Sequence, residues 1–222
     1  MQLVIFDFCE TLVSFQSADS FVDYIIKKEK YRKYKWIHYL DKILSKFRVL
    51  AVVNKLFPEL NPSKRLKLLQ IKGISNEKIN QYAMIFYKEK VMDNLIPALY
   101  EQLQLHLSNN DHVLIISGGY APYLKIFAEQ HQAKAYFATE MADDGKKLTG
   151  LFLGKDCLYG QKVVLLEKYL KSHHLLYSKS IVYSDSSSDL PLLEWADEGI
   201  VVSKNKSQSW AHDHKLKEII HY

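Results

Sequence analysis

Residues 3–6, Leu-Val-Ile-Phe, form an apolar run of strand type that stops at a single carboxylate, Asp7, with a short polar turn after it. No other segment constrains the chain as much. In an open parallel sheet, ligands sit just beyond the carboxyl ends of the strands. A carboxylate placed there is a candidate nucleophile or metal ligand. Taken alone, the segment equally suits an Asp that caps a helix or turn.

Three later segments extend the pattern. His112-Val-Leu-Ile-Ile-Ser-Gly-Gly-Tyr120 reads as an apolar strand ending in a hydroxyl, Ser117, followed by glycines that let backbone amides approach an anion. Gly160-Gln-Lys162 opens a helical pattern with apolar residues at 163, 164, 166 and 170. Lys162 falls in the first turn, where a cation opposes the helix dipole unless an anion compensates it. Ile181-Val-Tyr-Ser-Asp185-Ser-Ser-Ser-Asp189 reads as a strand ending in two carboxylates, with Leu-Pro-Leu-Leu193 starting a helix after it.

In this order, acid, hydroxyl, lysine and paired acids resemble the haloacid-dehalogenase-like (HAD) superfamily, within it the phosphoserine-phosphatase-like branch. The resemblance covers nearly the whole chain. Asp7 matches the nucleophile of the first motif, Ser117 the hydroxyl of the second, Lys162 the lysine of the third, and Asp185 with Asp189 the acids of the fourth. Ser-Gly-Gly-Tyr at 117–120, Asp144-Gly-Lys-Lys-Leu-Thr-Gly150 and the Gly-x-Lys at 160–162 carry the branch.

The formal net charge of +5 is unevenly spread. Residues 14–92 hold 17 Lys/Arg against 7 Asp/Glu, and the rest of the chain is net acidic. The pattern breaks where the charge does. Before residue 13 and after about 110, strand-like and helix-like segments alternate; between them 19–31, 33–57, 64–71, 76–90 and 93–108 accept a helical period. The expected fold is α/β: a Rossmann-like doubly wound parallel sheet formed by 1–13 and 93–222, with an inserted all-helical cap at 14–92. Thr149-Gly150 reads as part of a hairpin flanking the core, after a strand near 135–138.

The resemblance implies a Mg²⁺-dependent phosphomonoester hydrolase. Asp7 would attack phosphorus and form an aspartyl-phosphate. Asp7, the main-chain carbonyl of Cys9 and Asp185 would hold the metal, and Asp189 would hold a metal-bound water or orient a neighbour. Ser117 with the amides of Gly118 and Gly119 would bind phosphate oxygens, Thr11 and Gln16 would lie on the substrate side, and Lys162 would neutralise both Asp7 and the transferring group.

Two positions depart from the family pattern. The family usually carries a second Asp two residues after the nucleophile, as general acid and then base; here it is Cys9. An unperturbed thiol has a pKa of about 8.5 against about 3.9 for Asp, so it can donate to a leaving alkoxide but is a poor base for water. Nearby Mg²⁺ and Lys162 are expected to lower that pKa, and Glu10 is a substitute base whose side chain should point away. Where phosphoserine phosphatases hold the substrate amine with a Glu, nine residues after the nucleophile, this chain has Gln16. A sugar phosphate or phosphorylated amino alcohol therefore fits better than free phosphoserine, and the basic 14–92 segment suggests further negative charge or hydroxyls on the substrate.

Two alternatives remain: a phospholipid head-group phosphatase at a membrane surface, and a catalytically weakened phospho-ligand binding protein. Residues 33–47 carry an apolar stripe with lysines at 33, 35, 42 and 46, which suits a basic amphipathic helix on an anionic membrane. A cap helix with solvated lysines explains the same stripe more plainly. The aromatic and basic residues at 31–39 belong to no recognised nucleic-acid module, so no nucleic-acid partner is expected. Two cysteines form neither a zinc spacing nor a disulfide framework, and the chain opens on a core strand without a signal peptide, so a reducing cytoplasmic location is expected. Cys157 and the nine histidines are expected to be filler and surface residues. The oligomeric state is left open.

Overall fold

The computed structural model describes residues 1–29 and 61–222, together with positions 43 and 53. Six strands form one parallel sheet in the order β3-β2-β1-β6-β7-β8. They are β1 Leu3–Phe6, β2 His112–Tyr120, β3 Ala135–Thr139, β6 Ser180–Ser184, β7 Glu198–Lys204 and β8 Lys217–His221. β4 Met141–Asp143 and β5 Leu148–Phe152 pair separately as an antiparallel hairpin. The chain runs from β1 out to one edge and returns to fill the other side from β6, so the strand order reverses beside β1. Such a reversal opens a crevice at the carboxyl ends of the central strands.

All four residues of β1 are fully buried, because both faces of the sheet are covered. Val4 and Phe6 face one layer, with Val113, Ile115 and the helices α1 Ser17–Glu29, α3 Asn76–Phe86 and α5 Ala121–Gln130. Leu3 and Ile5 face the other, with Leu114, Val182, Val201 and the helices α6 Gly160–His173 and α7 Leu190–Trp195. This is the period-two alternation of a central strand. Phe6 pairs with both Ile115 and Tyr183, so Asp7, Ser117 and Asp185 fall one or two residues past the same line at the carboxyl edge.

The described part of 14–92 is helical: α1, α2 Pro62–Leu69 and α3, with a π turn at Tyr87–Val91 and a 3₁₀ turn at Met92–Asn94. α4 follows at Pro97–Ser108. The chain leaves and rejoins the sheet through adjacent backbone: Ser14 N–H donates to Asn94 O (2.9 Å) and Ile96 N–H to Leu12 O (2.9 Å). These helices share one apolar cluster with the sheet. Phe86 meets Phe21 (5.2 Å), Tyr24 (5.6 Å) and Tyr123 (5.2 Å), and Phe127 meets Phe8 (4.9 Å).

Several expectations shift. The helix predicted over 76–90 ends as α-helix at Phe86, and the π turn then keeps both Tyr87 and Val91 buried. The helix predicted from 93 starts at Pro97, whose ring takes the first helical position and holds Ile96 extended. β2 does not end at Ser117 but runs to Tyr120, which pairs with Thr139 after a register shift. His106 is buried, with Nδ1 2.9 Å from Asp111 Oδ2 and Nε2 3.1 Å from the Tyr183 hydroxyl, so the surface default fails there. The predicted helix 33–57, its lysine stripe and the 31–39 aromatic cluster lie outside the described residues. Among the described residues no helix is long and apolar enough to cross a membrane.

Phe86 ties helices from before and after β2 into one cluster, so its loss should be felt by the whole molecule. Phe86→Ala is expected to cost about 3–5 kcal/mol in denaturant unfolding, within one cooperative transition. A loss below about 1 kcal/mol, or melting of the 14–92 helices ahead of the sheet, would contradict this shared core.

Candidate active site

A cavity of about 300 Å³ opens at the carboxyl edge of β1, β2 and β6. Asp7, Cys9, Gln16, Ser117, Gly118, Lys162, Asp185 and Asp189 all reach its wall. Residues 155 positions apart thus meet because the strand order brings β1 and β6 together and the β5–β6 crossover delivers Lys162.

Lys162 is the hub. It sits in the first turn of α6, almost fully buried, and its Nζ donates to Asp7 Oδ1 (2.7 Å) and Asp189 Oδ2 (2.5 Å). The two carboxylates supply the anions that a cation at a helix N-terminus requires. Burial lowers the lysine pKa, but the charges of Asp189 and Asp7 override it and hold the ammonium protonated. Ser184 Oγ donates to Asp189 Oδ2 (2.6 Å), while Asp189 Oδ1 is buried without a hydrogen-bond partner.

The acids are crowded. Burial pushes the Asp7 carboxyl above its ordinary range against the pull of Lys162. Burial and the charges of Asp7 and Glu10 push Asp185 up to about 8. Two carboxylates held up in this way, beside an orphaned carboxylate oxygen, form a donor set short of positive charge. A hard divalent cation with oxygen ligands fits such a set. Among the described residues no three His, Cys, Asp or Glu side chains gather to hold a metal by themselves, so a main-chain carbonyl and waters must complete any coordination shell.

Thr11 is not on the cavity wall. It is fully buried, with its hydroxyl 3.4 Å from Asp7 Oδ2 and 3.1 Å from Asp185 Oδ1, and it accepts the Asp185 N–H at 3.0 Å. Its hydroxyl is engaged with the two acids rather than set on the wall where Gln16 lies. Gly119 is also off the wall. Its N–H donates to Ser117 Oγ (3.2 Å), and a Cβ there would lie 2.5 Å from Tyr123 Oη. A Cβ on Gly118 would lie 2.4 Å from a Leu158 methyl. A side chain at either glycine would displace Leu158 or Tyr123.

Cys9 Sγ lies 2.9 Å from Ser17 Oγ and accepts from Ser117 Oγ at 3.8 Å. Burial and the Asp7 charge push its thiol above the ordinary value despite those hydroxyls. Lys162, the side-chain cation expected to lower it, is committed to Asp7 and Asp189. Gln16 Nε2 donates to Glu10, which holds a left-handed backbone (φ 53°) at the cavity mouth. Sequence reasoning missed Asn61, Ser63, Lys64 and Asp19 on the wall. The helical period read over 64–71 includes Lys64, but nothing in the run marked it as buried. Among the described residues the wall carries five carboxylates, and its two lysines are both ion-paired.

A haloacid dehalogenase-like hydrolase family profile matches residues 4–194. A histidinol-phosphatase from Neisseria meningitidis serogroup C (strain 8013) is 24% identical over 208 residues, 90% of each chain. A Bordetella pertussis Tohama I protein of unknown function superposes with a TM-score of 0.79 at 19% identity, over 98% of this chain and 97% of that one. A phosphoserine phosphatase with a phospho-aspartyl intermediate analogue gives a TM-score of 0.65 at 19% identity, over 99% and 93%. These superpositions establish a shared fold.

Removing the hub should leave two buried carboxylates facing each other. Lys162→Met is expected to cost about 3–5 kcal/mol of stability at neutral pH, measured by urea unfolding. Lys162→Met/Asp189→Leu should recover part of that loss. A single variant as stable as the parent would show that the ion pairs do not form.

Proposed function

The chain belongs to the haloacid dehalogenase-like hydrolases, and on that premise we propose that it is a Mg²⁺-dependent phosphomonoester hydrolase working through an aspartyl-phosphate on Asp7. One observation carries the reading: Asp7 stands at the cavity floor, hydrogen-bonded to Lys162, with Ser117, Cys9 and Asp185 on the same wall. We take 1–13 with 93–222 as the core and 14–92 as the cap, supported by the backbone pairing of Ser14 with Asn94.

Asp7 and Asp185, with the Cys9 carbonyl, would hold Mg²⁺. When bound, the ion lets a carboxylate approach a phosphate dianion and draws charge from its oxygens. Asp189 keeps Lys162 charged, and its unpaired oxygen would help to hold the ion's water shell. Ser117 and the Gly118 amide would hold phosphate oxygens, and Lys162 would balance charge on the transferring group. An Asp7 carboxylate oxygen attacks phosphorus, the bond to the leaving oxygen breaks, and the Cys9 S–H protonates the departing alkoxide. Water then attacks phosphorus, the bond to Asp7 breaks, and inorganic phosphate leaves. After the first half-reaction a thiolate with a raised pKa takes a proton back from solvent near neutral pH. The resting S–H cannot accept the proton of the attacking water, so the second half-reaction is slow.

The substrate we assign is a small phosphorylated metabolite whose leaving group is neutral or cationic, a sugar or amino-alcohol phosphate rather than free phosphoserine. Three facts support it: the five carboxylates on the wall among the described residues, Gln16 in place of an acid, and the similarity to a histidinol-phosphatase.

Asp7→Asn should abolish Mg²⁺-dependent hydrolysis of para-nitrophenyl phosphate while circular dichroism stays unchanged. Retained wild-type turnover would refute the mechanism. Rapid quench of the wild type should show a burst near one equivalent of phosphoenzyme per site. Cys9→Asp should remove the burst and raise turnover by about 10²–10⁴. No burst, and no gain in that variant, would mean that the thiol is a competent acid and base.

A further inference from the structure

A second buried ionic cluster lies where helix α2 meets the carboxyl edge of the sheet. Lys64, the third residue of α2, is buried, and its Nζ donates to the Gly118 carbonyl oxygen (2.5 Å), to Thr139 Oγ1 (2.8 Å) and to Asp156 Oδ1. Asn61, which caps the same helix, donates from Nδ2 to the other Asp156 oxygen at 2.9 Å. The three ammonium protons are all used within the protein, so Lys64 has none to offer a ligand.

The carbonyl it holds has a second end. The Gly118 C=O and the Gly119 N–H belong to one planar peptide, and that N–H donates to Ser117 Oγ at 3.2 Å. A cation that fixes the carbonyl also fixes the amide that orients the serine hydroxyl. Gly118 and Gly119 have no side chains to hold this peptide in place, so its orientation depends on such outside contacts.

We propose that Lys64 is a positioning residue: seating α2 through Lys64 and Asp156 sets the 118–119 peptide, and through it the direction of Ser117 Oγ. The phosphate-binding hydroxyl is then in register only when this helix is docked on the core. The inference rests on the reading of Ser117 given above.

A double-mutant cycle tests it. Lys64→Met/Asp156→Asn, which avoids a buried unpaired carboxylate, is made with Ser117 and with Ser117→Ala. Readouts are kcat and KM on para-nitrophenyl phosphate, inhibition by inorganic phosphate, and thermal stability. With Ser117 present, kcat/KM should fall about 10-fold or more and phosphate should bind more weakly; with Ser117→Ala the further loss should be under about twofold. Where that pair does not fold, Thr139→Val carries the same comparison for the hold on the peptide: it keeps the ion pair and removes the hydroxyl that accepts from Lys64 at 2.8 Å and itself reaches the Gly118 oxygen at 3.2 Å. Equal losses in both backgrounds would overturn the role of Lys64 alone. Ser117→Ala with unchanged phosphate inhibition would overturn the reading of Ser117 and this inference with it.

Discussion

The buried contact of Lys162 with Asp7 and Asp189 is the constraint on which the rest of the site depends. An ammonium in the first turn of a helix, shielded from water, opposes the helix dipole and loses its hydration. It is tolerated only because two strand-end carboxylates meet it at 2.5–2.7 Å. Those carboxylates in turn cannot stand so close without it. Three distant segments therefore have one shared solution: β1, the turn after β6 and the start of α6 must converge. The parallel order with β1 beside β6 is the topology that lets them do so. Burial and crowding raise the Asp7 and Asp185 pKa values because one lysine does not balance three acids. The cavity floor thus gathers carboxylates that burial strips of water and that Lys162 compensates only in part.

Above this floor, the helices between β1 and β2 share their packing with the sheet. Phe21 and Phe86 interleave with Tyr123, and Tyr123 sends its hydroxyl toward Ser17 at 2.7 Å. Apolar packing of the insertion and polar order at the site are therefore one structure. A shift of α1 or α3 that disturbed the aromatic cluster would also move Ser17 and, through it, Cys9. Interiors packed this closely transmit small displacements over several residues.

Much of this was legible in the residues. Strand β1 and the carboxyl-edge placement of Asp7 and Asp185 follow from apolar runs that end in polar groups, Lys162 from a helix start, and the hairpin from Thr149-Gly150, all local signals. What sequence missed was long-range. Thr11 lies four residues from Asp7 and reads as a substrate contact, yet its partner Asp185 is 174 positions away. Lys64 reads as one lysine among many in a basic stretch, and only the fold shows Asp156 waiting 92 positions later. His106 looked like a surface residue because Tyr183, its hidden partner, lies on another strand. Among the described residues the cavity wall carries five carboxylates, a local arrangement that the net charge of 14–92 does not report.

The thiol at Cys9 is best understood through the hydrogens around it. The Tyr120 N–H donates to Tyr123 Oη at 2.9 Å, that oxygen lies 2.7 Å from Ser17 Oγ, and Ser17 Oγ lies 2.9 Å from Cys9 Sγ. Ser117 Oγ donates to the same sulfur from the other side. The hydroxyl contacts favour a thiolate, but burial and the neighbouring Asp7 outweigh them and raise the thiol pKa. Such a group is arranged to give a proton rather than to take one. On the proposed mechanism, that is the polarity the first half-reaction needs and the reverse of what hydrolysis of the intermediate needs, so the substitution of sulfur for a carboxylate falls on one step and spares the other.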